Sequence, residues 1–403
     1  MVERETQPLS RHPDPAARDV LHHLQQRRPE MVELLRRMAL AESPSNEPAT
    51  QAGIRDIIAG EFQRLGYRVR RIPGRASGGM LYARPEPRRR GAPAQLLLGH
   101  YDTVWPVGTL ADMPFEVQDD TVRGPGVYDM KGGVAQALLA LEALQALGAE
   151  PDVETHVFFN SDEEIGSRES RRYIEMLAPC MDRVFVLEPS LGPAGLLKTA
   201  RKAIGRFTVT VRGEAAHAGL DPGAGASAIL ELSHVIQALF ALNDLERGVT
   251  VNVGTIDGGL RPNVVAPRSQ AVVDVRVATQ ADAESVEAAI RGLRPAIGGT
   301  TLEIEGGFGR PAMERTPANR ALWQLALRLG GELGLQLEQA LAGGGSDGNF
   351  TSQHTATLDG MGAVGDGAHA RHEHLRLQAS LERAALLALL LIAPALGRTT
   401  GEA

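Results

Sequence analysis

Six acidic or imidazole side chains carry the chemistry that this sequence can be read for. His100 and Asp102 follow the apolar run Leu96-Leu97-Leu98. Glu163 and Glu164 follow Val157-Phe158-Phe159, and Glu188 closes Val184-Phe185-Val186-Leu187. Between them Asp129 lies in a glycine-rich stretch, Gly124-Pro125-Gly126-Val127-Tyr128-Asp129-Met130-Lys131-Gly132-Gly133. Carboxylates and imidazoles gathered at the edge of a core are costly unless paired or holding a cation. A zinc ion takes nitrogen and oxygen donors at about 2.0–2.2 Å, in a partly open site when it is catalytic. The chemistry expected is metal-assisted hydrolysis. His100 is a candidate ligand, and Asp102, two residues on, is spaced to orient its ring.

Each of these signals has a plainer reading. A lone strand-end histidine is usually structural, and an acidic pair such as Glu163-Glu164 usually faces solvent. Their repetition at the ends of three apolar runs favours a site. Cys180 is the sole cysteine, so neither an intramolecular disulfide nor a thiolate-rich metal site is possible. A net charge of −7 argues against nucleic acid or an anionic membrane as partner. The basic clusters Arg70-Arg71 and Arg88-Arg89-Arg90 read as solvated loop or strand ends. Met1–Thr6 lacks the apolar core of a signal peptide, and the apolar segment Ala384–Leu396 is shorter than the ~20 residues that span a bilayer. A cytoplasmic location, with that segment as a buried terminal helix, is the expectation.

The elements that must position these groups follow from periodicity. Before about Pro29 the chain is polar, a loose arm or first helix. Gln51–Leu65 has helical spacing and stops at Gly66. Tyr67–Ile72, Met80–Arg84, Gln95–Gly99, Thr155–Phe159 and Val184–Leu187 read as strands, with a helix over Gly132–Leu147. Alternation of this kind predicts an α/β domain with a mostly parallel central sheet, whose ligands gather beyond the carboxyl ends of the strands. After about Ala203 the texture changes. Arg206–Val211, Val249–Val253, Ala271–Val277 and Thr301–Glu305 alternate as half-wet antiparallel strands, interleaved with helices over Ala226–Leu242 and Ala281–Leu293. The first pattern returns after Pro317, with a helix over Asn319–Leu333 and a strand near Leu335–Leu341. The prediction is a discontinuous catalytic domain, 1–204 and 312–403, with an inserted α+β domain of two helices on a small antiparallel sheet at 205–311.

Taken together, Gly99–Val104, Gly124-Pro125-Gly126 with Asp129–Gly133, Asp162–Ser167, Leu187–Pro189, Ala216–Gly219, Gly343–Asp347 and Gly365–His369 occur in the order found in one family. From about residue 29 to 397 the sequence resembles the di-zinc metallopeptidases of the aminoacylase and glutamate carboxypeptidase type. That resemblance implies two Zn²⁺ ions per chain, with Co²⁺ or Mn²⁺ as possible substitutes. One would be held by His100, Asp129 and Glu188, the other by Asp129, Glu164 and His369. Two Zn²⁺ ions, three carboxylates and one hydroxide sum to zero, which spares a buried centre uncompensated charge. Glu163 is left as general base. His369 is preferred over His372 and His374 because Glu373 follows it four residues later.

The resemblance further implies that the inserted domain pairs two chains as a homodimer and that His217 steadies the oxyanion in the partner's site. It also implies that Asn263 and Arg276 bind the substrate backbone and carboxylate, Arg276 with its planar fork. Lys202, standing where folate-cleaving members have small polar residues, and Gly344, in a glycine loop that lets a backbone approach closely, are further candidates for substrate contact. Where folate-cleaving relatives carry an arginine for the glutamate side chain, this sequence has Thr250. The function implied is hydrolysis of the amide in an N-acyl amino acid or small peptide with a free carboxylate, glutamate carboxypeptidase-like. The alternative is an aminoacylase for neutral or aromatic amino-acid conjugates. A third reading, a nucleotide-binding oxidoreductase, rests on the GxGxxG spacing of Gly343–Gly348, which lacks a convincing βαβ unit.

Overall fold

The computed structural model describes residues 15–397; the polar stretch before residue 15 lies outside the described residues. The chain divides into two compact units. One comprises the residues up to Thr199, Arg315–Ala342 and Ser346 onward; the other comprises Ala200–Glu314 with Gly343–Gly345.

The first unit is built on a six-stranded sheet. From one edge its strands are Tyr67–Ile72, Met80–Pro85, Glu154–Asn160, Ala94–His100, Arg183–Val186 and Ala356–Leu358. The last four run parallel, while Tyr67–Ile72 pairs antiparallel with Met80–Pro85, which in turn pairs antiparallel with Glu154–Asn160. The antiparallel margin departs from simple strand–helix alternation because a short loop, not a helix, joins Tyr67–Ile72 to Met80–Pro85. The central strands are apolar on both faces, so both must be covered. Period-two alternation sorts them: Leu97, Phe159 and Phe185 face one core, with helices Gly132–Ala146 and Leu377–Ile392. Leu96, Leu98, Phe158, Val184 and Val186 face the other, with Ile174 and Phe350.

Helix Gly132–Ala146 is buried nearly all round, as a helix apolar on every side must be. Gly133 allows its close approach to the sheet: a Cβ there would meet the Leu187 carbonyl oxygen at 2.0 Å. The terminal helix begins at Leu377, seven residues before the apolar segment does. Among the described residues no helix is long and apolar enough to cross a membrane. A small four-stranded sheet of Glu116–Gln118, Thr121–Arg123, Gly365–Asp366 and His374–Arg376 has no counterpart in the sequence reading, because strands of two or three residues carry no periodic signal.

The second unit is a four-stranded antiparallel sheet in the order Thr250–Gly258, Arg268–Val277, Ala203–Arg212 and Thr301–Arg310. Its strands run longer than the apolar alternation alone marks. Helices Ala228–Phe240 and Gln280–Arg291 are capped by Ser227 and Thr279, whose hydroxyls accept from Leu230 and Asp282 N–H, the usual remedy for unpaired first-turn donors. Leu232, Val235, Leu239, Val286 and Ile290 pack with Phe207, Val209, Val273 and Val275.

The end of the terminal helix is tied to the first sheet by a charge. Arg183 is fully buried and donates to Gln95 Oε1 at 2.8 Å, Ala393 O at 2.6 Å and Pro394 O at 2.8 Å. Arg183→Leu leaves those carbonyls buried without a donor. It should cost about 3 kcal/mol or more, read as a lowered urea midpoint; an unchanged midpoint would contradict this account of the clamp.

Candidate metal centre

The site forms in the first unit where parallel strands end. His100 is the last residue of its strand. Glu163 and Glu164 follow the strand ending at Asn160, and Glu188 lies two residues beyond Val186. Asp129 sits in an irregular loop just before the Gly132–Ala146 helix. His369 comes from the loop following Gly365–Asp366, with a left-handed φ of 60°.

These residues converge. His100 Nε2 lies 3.4 Å from Asp129 Oδ1 and 3.5 Å from Glu188 Oε1. His369 Nε2 lies 3.5 Å from Asp129 Oδ2 and 3.1 Å from Glu164 Oε2. Asp129 thus turns one oxygen to each imidazole. Donor atoms of His100, Asp129 and Glu164 fall within 4.8 Å of one another, as do those of His100, Glu163 and Glu188. Glu163 therefore stands on the Glu188 side of His100. His372 and His374 do not join: His374 Nδ1 pairs with the carbonyl of His372.

Asp102 is the brace. Fully buried, it lies 3.4 Å from His100 Nδ1 through Oδ1, and its backbone carbonyl sits 3.0 Å from the same nitrogen. Its carboxylate also accepts from the backbone N–H of Glu163 and Glu164 at 3.3 and 3.2 Å and from Ser45 Oγ at 2.7 Å. One side chain thereby orients the His100 ring and the loop carrying the acidic pair, the arrangement that ligand imidazoles generally require.

The cluster strains its own charges. Burial would depress the His100 imidazole, yet the carboxylates of Asp102, Asp129 and Glu188 hold it well above the usual histidine range. Burial and the nearby Asp129 carboxylate push Glu164 up to about 7. Burial would raise Asp129, but His100, His369 and Lys198 hold it below the usual carboxylate range. Asp129 and Glu164 lift His369 to about 10. His100 Nε2, Asp129 Oδ1 and Glu164 Oε1 are all buried without a hydrogen-bond partner. Buried polar atoms are rarely left so, and three that converge, all nitrogen or carboxylate oxygen, fit a divalent cation's donor set.

The remaining sequence-predicted residues fall in the second unit. His217 is exposed, and its Nδ1 accepts from the N–H groups of Gly219 and Leu220, both at 3.1 Å; a neutral ring so held carries its proton on Nε2. Ala218 N–H donates to the Asn263 carbonyl, so the His217 and Asn263 loops adjoin. Arg276 holds Asp274 with two bonds, 2.8 and 3.2 Å. Burial, with Arg276 nearby, lowers Lys202. Gly344 presents its carbonyl to Arg201. Thr250 Oγ1 lies 3.4 Å from the Arg276 carbonyl and supplies no cation. Gly348–Thr351, after the glycine run, is a helix of only four residues, too short for a dinucleotide-binding βαβ unit.

Ser45 and Glu373 belong to the metal centre's surroundings and were not marked as such by the sequence. Ser45 contacts Asp102 across 57 positions of chain, a separation that no local pattern reports. Glu373 was visible only as a marker for His369.

With this geometry in place, the comparisons are specific. The chain matches the model of Peptidase family M20/M25/M40 over residues 96–393 and belongs to that family. It is a metallopeptidase-family enzyme, and the family is metal-dependent. It is 27% identical to carboxypeptidase G2 of Pseudomonas sp. (strain RS-16) over 374 residues, 90% of this chain and 89% of that one. It is 27% identical to succinyl-diaminopimelate desuccinylase of Rhodospirillum centenum over 372 residues, 86% and 93% of the two chains. A dinuclear metal-binding peptidase of the M20 family from Bacillus subtilis has the same fold, with a TM-score of 0.68 at 15% identity over 91% of this chain and 98% of that one. The oxidoreductase reading is set aside by this membership.

The choice among three neighbouring histidines can be tested by metal content. His369→Ala should lower the bound divalent metal per chain by about one equivalent, while His372→Ala and His374→Ala should leave it unchanged. Loss of metal in either of the latter, with His369→Ala unaffected, would put the ligand elsewhere.

Proposed function

We propose that this chain is a two-metal amidohydrolase cleaving the amide of an N-acyl amino acid or small peptide that ends in a free carboxylate. The observation that carries the reading is the convergence of His100, Asp129, Glu164, Glu188 and His369 around three buried polar atoms that lack hydrogen bonds. His100, Asp129 and Glu188 would hold one ion, and Asp129, Glu164 and His369 the other. Nitrogen and carboxylate donors suit Zn²⁺ first, with Co²⁺ or Mn²⁺ as substitutes. Bound there, two such ions polarise a carbonyl and make water nucleophilic at neutral pH.

The protein's own residues do the rest. Glu163, adjacent in sequence to a ligand and within reach of His100 and Glu188, takes the proton from the attacking water and passes it to the leaving amine. Asp102 fixes both the His100 ring and the backbone on which Glu163 stands. His217, with its proton on Nε2, donates to the developing oxyanion. We assign that donor, by resemblance to the family, to the site of a partner subunit in a homodimer joined through the second unit. The open edge strand Thr250–Gly258 and the exposed Ile256, Leu245 and Leu260 support such a pairing, being 66%, 76% and 71% accessible. Large apolar side chains on an unpaired edge are otherwise a liability.

Arg276, Asn263, Lys202 and Gly344 are assigned to the substrate's carboxylate and backbone. For Arg276 this means that substrate competes with, or joins, its pairing to Asp274. Resemblance to the glutamate carboxypeptidases makes glutamate at the carboxyl side the first reading. A neutral or aromatic side chain is the second reading, favoured by Thr250, whose hydroxyl offers no charge for a second carboxylate.

Glu163→Gln should reduce turnover by at least about 10²-fold while both metals stay bound; loss of metal would make Glu163 a ligand instead. A series of N-acyl amino acids differing in side chain, each as free acid and as amide, tests the substrate. Free acids should be cleaved far faster, and equal rates would refute carboxylate recognition. Ile256→Arg should shift the sedimenting species from dimer to monomer, whereas a wild type that is monomeric throughout would refute the assembly.

A further inference from the structure

Glu373 does not face the cluster, yet it touches the backbone of the residue at its middle. Its side chain is 1% accessible and meets four N–H donors, two at each oxygen. Oε1 accepts from Tyr128 N at 2.9 Å and Asp129 N at 3.0 Å. Oε2 accepts from Gly126 N at 2.9 Å and Trp105 Nε1 at 2.7 Å. Three of the four donors are backbone groups of one irregular loop, the loop that carries Asp129.

The other end of Glu373 is equally confined. Its own N–H donates to the Ala370 carbonyl, and Ala370 N–H donates to the Gly367 carbonyl, so it closes the tight turn that holds His369. A Cβ on Gly367 would meet the Glu373 backbone at 2.9 Å, leaving the turn no slack. The two loops joined by this carboxylate thus carry the central aspartate and one of the imidazoles that it faces.

We infer that Glu373 is a positioning residue that sets metal affinity by clamping the Asp129 loop to the His369 turn, with Trp105 held as a side wall. The inference rests on the reading of Asp129 and His369 as metal ligands. Its physical basis is acceptor capacity. An ionised carboxylate has lone pairs for all four donors, and charge-assisted bonds of this kind are about twice as strong as neutral ones. A glutamine of the same shape turns an NH₂ group toward one pair of those donors. At least two bonds are then lost, and the loop must shift.

The test is zinc affinity of chelator-treated protein, measured by competition with a chromophoric chelator, together with the melting temperature of the metal-free form. Glu373→Gln should weaken zinc binding by about 10–100-fold while the metal-free melting temperature changes by only a few degrees. Trp105→Phe removes one donor and leaves the three backbone donors in place, so its zinc affinity should stay within about threefold of wild type by the same reasoning. A purely structural role would lower the melting temperature and leave the affinity untouched, which would overturn the inference. If Glu373→Gln does not fold, Glu373→Asp decides: it keeps the charge and shortens the reach, so a weakened affinity supports the clamp and a wild-type affinity overturns it. Wild-type protein that binds no zinc would instead remove the ligand reading underneath.

Discussion

The first unit is organised around a repulsion that it does not relieve by itself. Asp129, Glu163, Glu164 and Glu188 are brought together beside His100, in a place where burial weakens solvent screening. Left alone, such a group of acids would move apart or take up protons; burial first, and the Asp129 carboxylate second, push Glu164 up. What keeps the acids in place is rigid backbone. Parallel strands deliver three of the side chains at their carboxyl ends, and the all-round buried helix Gly132–Ala146 fixes the base of the loop that delivers the fourth.

Two further carboxylates, Asp102 and Glu373, hold the arrangement from outside. Asp102 takes the backbone N–H groups of Glu163 and Glu164 and orients His100, and Glu373 takes those of the Asp129 loop. Both are buried carboxylates supported by N–H donors, and burial and the nearby Asp129 carboxylate still push Glu373 above the usual carboxylate range. Facing inward, Asp129 Oδ1 and Glu164 Oε1 are buried without a hydrogen-bond partner, and such oxygens suit a cation. This division explains why six acidic residues can crowd one end of a sheet in a folded protein.

Much of this was legible in the sequence, for a physical reason. A buried parallel strand is a short apolar run, and its carboxyl end is where ligands gather, so His100, the Glu163–Glu164 pair and Glu188 are marked by the runs they terminate. The period-two alternation of Ala271–Val277 likewise announces a half-buried strand of an antiparallel sheet. What the sequence hides is contact across long separations. Ser45 reaches Asp102, and Glu373 reaches Gly126 and Trp105, through folding alone. Very short strands such as Gly365–Asp366 are equally silent, because they are set by their partners and not by their own composition. The antiparallel margin was hidden because a hairpin and a crossover begin with the same strand pattern.

The account stands on the claim that the inward-facing acids and imidazoles form a site for two cations. Calorimetric titration of chelator-treated wild-type protein with Zn²⁺ measures this directly. The expected result is saturation at two equivalents per chain from a folded metal-free state. Saturation at one equivalent, or no binding above that of an unrelated acidic protein, would contradict it.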